Sequence, residues 1–122
     1  MPDDAFNENG SMFEWNKHAA VDVVRGAEPI NRLTAGDIAT LIERHLQAGQ
    51  PRLVLDLERV PLIDSAGLEM LLNLRDTCQR RGGSMKLAAP NALCRDILLV
   101  TDVGTKFEIF GDVTAAVGSF AQ

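Results

Sequence analysis

The chain has 122 residues, 46% of them hydrophobic and 24% charged, which predicts one globular domain with a core of its own. Twelve Lys and Arg against seventeen Asp and Glu leave a net charge of −5, a balance that repels nucleic-acid phosphates and anionic lipid surfaces. Aromatic residues make up 5% with no tyrosine, so the stacking platforms of single-strand binders are missing as well.

No apolar run approaches the roughly 18 residues of a membrane span, so membrane insertion is not expected. The acidic start Met1-Pro2-Asp3-Asp4 is unlike a signal peptide, and the expected compartment is the cytoplasm. Cys78 and Cys94 form no Cys-x-x-Cys unit, and His18 and His45 are not spaced as metal ligands. The thiols are read as reduced and packed in or near the core; no metal or cofactor is expected.

Residues 1–12 read as a flexible lead-in and 13–122 as the domain. Phe13-Glu14-Trp15-Asn16 alternates apolar and polar residues, as a half-buried strand does, and Ala20 to Arg25 repeats the pattern up to Gly26. Lys17-His18-Ala19 suggests a hairpin link between them. From Thr34 the period changes: Ile38, Leu41, Ile42 and Leu46 share one helical stripe, opened at Thr34 or Gly36 and ended by Gly49-Gln50-Pro51. Leu53-Val54-Leu55-Asp56-Leu57 is a nearly continuous apolar run of strand length, as expected of a strand covered on both faces.

Residues 66–80 read as a second helix closed by Gly82-Gly83, with Ser65 as its N-cap. Met85 to Ala89 is a further strand stopped by Pro90, and Leu93, Ile97 and Val100 outline a third helix. Phe107 to Phe110 is the last strand. Asp112 caps a final helix carrying Val113, Ala116, Val117 and Phe120. The alternation predicts an α/β fold: a mixed, largely parallel sheet of four to five strands flanked by about four helices.

The chemistry concentrates in Val60-Pro61-Leu62-Ile63-Asp64-Ser65-Ala66-Gly67-Leu68, between the covered strand and the second helix. In an open α/β sheet, ligands and partners meet the loops at the carboxyl ends of the strands. A nucleophilic serine is disfavoured, because a nucleophile elbow needs glycine where Ile63 stands and only His18 and His45 are available as bases. A phosphoacceptor aspartate at Asp56 is disfavoured too: the earlier strands end in Asn16-Lys17 and Arg25-Gly26, with no acidic pair to hold a divalent ion. The expectation is therefore that the chain is not an enzyme.

Leu55-Asp56-Leu57, then Val60 to Leu68, with Leu71-Leu72 after them, resembles the STAS domain of bacterial anti-sigma factor antagonists. The likeness runs from about Ala20 to Phe120, with its specific part at 54–68. It implies a switch in which the serine at position 65 is phosphorylated by an anti-sigma factor that is also a serine kinase. The unmodified antagonist binds that partner, the phosphorylated form lets go, and a serine phosphatase resets it. Asp64, Ala66 and Gly67 match the loop around the serine, with Gly67 expected to admit a partner backbone. Where relatives carry a Gly-x-(Leu/Ile)-Asp segment, this chain reads Gly26-Ala27-Glu28-Pro29-Ile30-Asn31, so Glu28 stands in for the acid. Met70 and Leu74 lie four apart on a second face of the helix; either a broad stripe is buried, or these two form a partner-facing patch beside Ser65. Arg59 is a local counter-charge for a phosphate if the loop brings it close. Related domains also serve as accessory subunits of lipid or anion transport complexes, and that use is the alternative. A scaffold in a larger assembly is a third.

Overall fold

The computed structural model describes residues 13–18, 20–46 and 49–121; the lead-in read over 1–12 lies outside them. Strands β1 (Phe13–His18) and β2 (Val21–Gly26) form an antiparallel hairpin in which His18 faces Val21. Lys17 and His18 belong to this ladder rather than to the link. Lys17 Nζ lies 2.9 Å from the buried carboxylate of Asp22, its partner in register, which fastens this end of the ladder. There follow α1 (Ala35–His45), β3 (Arg52–Asp56), α2 (Ser65–Arg80), β4 (Ser84–Ala88) and α3 (Ala92–Val100). A 3-10 turn at Val103–Lys106, β5 (Ile109–Phe110) and α4 (Val113–Ser119) complete the order.

The strands lie in the sheet in chain order, β1-β2-β3-β4-β5, with β2 to β5 parallel. Right-handed crossovers between successive neighbours must all pass over one face. Accordingly Ile38 and Ile42 of α1, Leu71 and Leu74 of α2 and Leu98 of α3 share a core with Val24, Leu53, Leu55 and Leu87. The other face carries Val21, Val23, Val54 and Ala88 against Ala116 of α4, with Phe110 and Phe120 beside them. Burial on both faces is why β3 reads as a continuous apolar run instead of alternating.

Two charged side chains on the α4 face are buried with partners. Asp56 accepts from Arg25 Nε at 3.1 Å and from the Glu58 N–H at 3.0 Å. Lys86 reaches Ser119 Oγ at 2.7 Å and Glu108 at 3.1 Å, with its ammonium 4.1 Å from the Phe120 ring centroid. Its apolar stem is thereby covered while the charge stays paired.

Three expectations are corrected. Met70 and Leu74 do not face outward: they are 5% and 0% exposed, because α2 packs against β4, α1 and the 3-10 turn together and so buries a face wider than one stripe. Of the residues that outlined α3, only Ile97 packs against the core, beside the buried Cys94 and Leu98, while Leu93 and Val100 are 52% and 80% exposed. The Asn91 cap and a Cys94 Sγ contact to the Val60 carbonyl at 3.4 Å orient that helix. The last strand is shorter than expected: the 3-10 turn runs to Lys106, Phe107 closes it with its N–H on the Gly104 carbonyl at 3.2 Å, and pairing starts only at Ile109. Two cap signals hold as expected. Asp112 caps α4 through the Ala115 N–H at 2.7 Å, and Gly82, with φ of +81°, closes α2.

Candidate functional site

The turns that precede α1, α2 and α3 meet at the carboxyl ends of the parallel strands. After β2 the chain runs through Glu28 and Pro29 to Ile30, which forms an isolated parallel bridge with Ile63. Ile30 donates to the Leu62 carbonyl and accepts from the Asp64 N–H, both at 3.1 Å. Pro29 does not disrupt this path: its carbonyl accepts the Thr34 hydroxyl at 2.8 Å. Asn31 then turns the chain, its carboxamide oxygen accepting the N–H groups of Leu33 and Thr34 at 2.9 and 3.1 Å. Thr34 is the N-cap of α1, as expected, but its hydroxyl donates to the Pro29 carbonyl and makes no side-chain cap bond.

Asp64, and not Ser65, is the N-cap of α2. Its Oδ1 accepts the Gly67 N–H at 2.9 Å and its Oδ2 the Arg32 N–H at 3.0 Å. Both residue types suit the position; Asp64 takes it because a carboxylate has a second oxygen for the Asn31–Thr34 turn. The Gly67 N–H, then those of Arg32 and Ala66 and the charge of Arg32, hold the Asp64 carboxyl below its ordinary value against partial desolvation. Ser65 becomes the first residue of α2. It is exposed, and its hydroxyl makes no hydrogen bond among the described residues.

Ala66 and Glu28 are half-buried, and the bridge at Ile30 brings the Glu28 segment alongside the Asp64-Ser65 loop. Gly67 is buried. A Cβ there would run into the Ile30 carbonyl and the Ile63 side chain, so the backbone that demands this glycine belongs to the chain itself and not to a partner. Arg59 stands on a turn tied to β4 by the Leu57 N–H on the Ala88 carbonyl at 2.8 Å. The basic residue tied to the Ser65 loop is Arg32, through its backbone N–H on Asp64, and sequence reading passes over it. Its signal was the Asn31-x-x-Thr34 spacing, which places Arg32 and Leu33 at a turn tip.

Asn91 holds the third turn. Its Oδ1 caps α3 through the Cys94 N–H at 2.7 Å, and its Nδ2 donates to the Val60 carbonyl at 3.0 Å. Exposed leucines flank these ties: Leu33 beside Arg32, Leu62 beside Ile63, and Leu93 beside the Asn91 cap, with Leu33 81% exposed.

Among the described residues no nucleophile is paired with a base. His45 is exposed on α1, its Nδ1 2.8 Å from the Leu41 carbonyl. Asp56 is buried in its pair with Arg25. Both cysteines are buried, and desolvation raises their thiols, Cys78 to about 11. Among the described residues no group of three or more His, Cys, Asp or Glu is placed to hold a metal, and no helix is long and apolar enough to cross a membrane.

The STAS domain family model matches residues 13–116. No curated protein sequence matches the chain. Among solved structures, a putative anti-sigma factor antagonist from Thermotoga maritima superposes with a TM-score of 0.85 at 20% identity, covering 90% of this chain and 95% of that one. The Bacillus cell fate determinant SpoIIAA, in its phosphorylated form, gives 0.60 at 16% identity over 88% of this chain and 98% of that one. The murine anion transporter Slc26a9 gives 0.72 at 20% identity over 84% of this chain but 18% of its own. At these identities the likeness is one of fold.

Proposed function

The chain belongs to the STAS domain family, and from that membership we propose that it is an anti-sigma factor antagonist, a phosphorylation-controlled binding protein without catalysis of its own. It acts in the cytoplasm on an anti-sigma factor with serine kinase activity. The partner transfers the γ-phosphoryl group of ATP to Ser65 Oγ, releasing ADP and the hydroxyl proton. A serine phosphatase removes the group again by hydrolysis. The observation that carries this reading is the exposed, unengaged Ser65 hydroxyl at the start of a helix whose first turn Asp64 already secures.

Binding in this reading uses the rim around Ser65: the Asp64-Ser65-Ala66 loop, Glu28 beside it, and the apolar side chains of Leu33, Leu62 and Leu93 in place of Met70 and Leu74. Phosphorylation adds about −1.5 to −2 charges next to Asp64 and one turn from Glu69. An interface closed over that dianion must strip its water, and a buried charge left without a partner costs several kcal/mol. Even about 3 kcal/mol is a more than hundredfold loss of affinity. The fold is left intact, because the modified oxygen holds no part of it together.

Mass spectrometry after incubation with candidate anti-sigma kinases and ATP is expected to find phosphate on Ser65, and the Ser65→Ala protein to stay bound whatever the ATP supply. Phosphate found only at other residues overturns the proposal. The superposition on a domain of an anion transporter favours a second reading, a docking subunit of a transport complex. A pull-down separates the two by recovering a kinase-like anti-sigma factor or a transporter component.

A further inference from the structure

The Gly67 and Leu68 amides in the first turn of α2 are already in use. Asp64 accepts the Gly67 N–H on one oxygen, and its other oxygen is held by the Arg32 N–H. A phosphate on Ser65 therefore meets a helix start already capped by a neighbouring carboxylate, where a nearby cation offsets the added negative charge. The charged groups around it are Glu28 on the segment bridged to the loop, Glu58, Arg59 and Asp64 on the loop itself, Glu69 on α2, and Arg32 on the turn before α1. Most are acidic. Arg59 stands on the turn fastened to β4. Arg32 is fastened by its own N–H to the residue next to Ser65. It is exposed, and its guanidinium makes no hydrogen bond or ion pair among the described residues. Adjacent Cα atoms lie about 3.8 Å apart, so a phosphate on residue 65 falls within the span of an arginine side chain anchored at residue 64.

We propose that Arg32 receives the phosphate of phosphorylated Ser65, closing an ion pair between the turn before α1 and the first residue of α2. The planar fork of a guanidinium suits two phosphate oxygens at once. Closing it draws Arg32 over the loop and changes the setting of Leu33, its neighbour on the rim. Phosphorylation then alters the docking surface at two places, the serine and the Arg32-Leu33 turn. Before phosphorylation the same guanidinium is open to the partner.

The inference rests on Ser65 being the modified residue, and its test does not need the kinase. The full chain is made with phosphoserine installed at position 65 during translation, in wild-type, Arg32→Gln, Arg32→Lys and Glu69→Gln backgrounds. The phosphoserine second ionisation is followed by 31P NMR and the arginine Nε–H groups by 15N NMR. A second pKa ordinarily near about 6 is expected to rise by roughly half a unit in Arg32→Gln, the size an exposed ion pair gives. Arg32→Lys is expected to recover part of the shift and Glu69→Gln to move it the other way. The Arg32 Nε–H resonance is expected to move on phosphorylation more than that of any other arginine. Equal pKa values in wild type and Arg32→Gln, or an unmoved Arg32 resonance, overturn the proposal and leave the antagonist reading standing. Failure of any kinase to modify Ser65 overturns that reading and leaves this measurement valid.

Discussion

The backbone carbonyl of Ile30 fills the space that a Cβ on Gly67 would need. The same carbonyl accepts the Asp64 N–H at 3.1 Å, so the first turn of α2 is pressed onto the segment that leads out of β2. A serine at position 65 is held by this contact although its own side chain plays no part in it.

Gly67→Ala tests the contact directly. Alanine outranks glycine in a helix interior by about 1 kcal/mol, so an unconstrained site would be stabilised. Here the added methyl meets backbone, and overpacking of that kind costs roughly 1–3 kcal/mol. Urea unfolding is expected to show a net loss of stability, and a gain would mean that the Ile30 segment yields.

Asp64 gives the site an acid-side dependence with a definite sign. Its folded-state pKa lies below the ordinary 3.8, chiefly through the Gly67 N–H. The stabilisation is therefore complete above the ordinary value and is lost as pH falls through the lower, folded-state value. Thermal melts across the acid range should show this component in the wild type and its absence in Asp64→Asn. Asparagine keeps a cap but turns an amide toward the Arg32 N–H, so at neutral pH it should melt between wild type and Asp64→Ala. Identical melts for wild type and Asp64→Ala would show the cap to be idle.

Asn91 serves two turns with one carboxamide, and two substitutions separate its roles. Asn91→Asp keeps an acceptor for the Cys94 N–H but loses the donor to the Val60 carbonyl. Asn91→Ala loses both, at a cost of about 1–2 kcal/mol from a missing cap and an unsatisfied carbonyl. Amide exchange over residues 57–64 should quicken in both variants, whereas α3 should loosen only in Asn91→Ala.

The thiols should be silent in the native protein. Burial raises Cys78 to about 11 and Cys94 above its ordinary value, and both side chains are buried. An alkylating reagent at neutral pH is expected to label neither, and to label both once denaturant is added. Native labelling at the wild-type unfolding rate would be compatible with this; faster labelling would not.

The order of strands and helices was readable along the chain, as were the strand-to-helix turn at Asp64-Ser65-Ala66-Gly67 and the caps at Asp112 and Gly82. The choice between Asp64 and Ser65 as cap was not. Both have the right side chain, and what separates them is an N–H from Arg32, 32 residues away. Gly67 is a similar case: a small residue signals close approach, but the approaching backbone is Ile30, which no spacing reveals. For Met70 and Leu74, helical periodicity gives the angle at which each side chain points, whereas burial depends on how many neighbours close around that angle. In α2 those neighbours are β4, α1 and the 3-10 turn.

Periodicity and capping depend on atoms within a few residues of one another, so the chain alone specified the elements and their succession. Which face each helix hides, which carboxylate closes α2 and which turn is tied to that carboxylate depend on contacts between elements distant in sequence. Those were decided only when the sheet assembled and brought Ile30 and Arg32 up to Asp64.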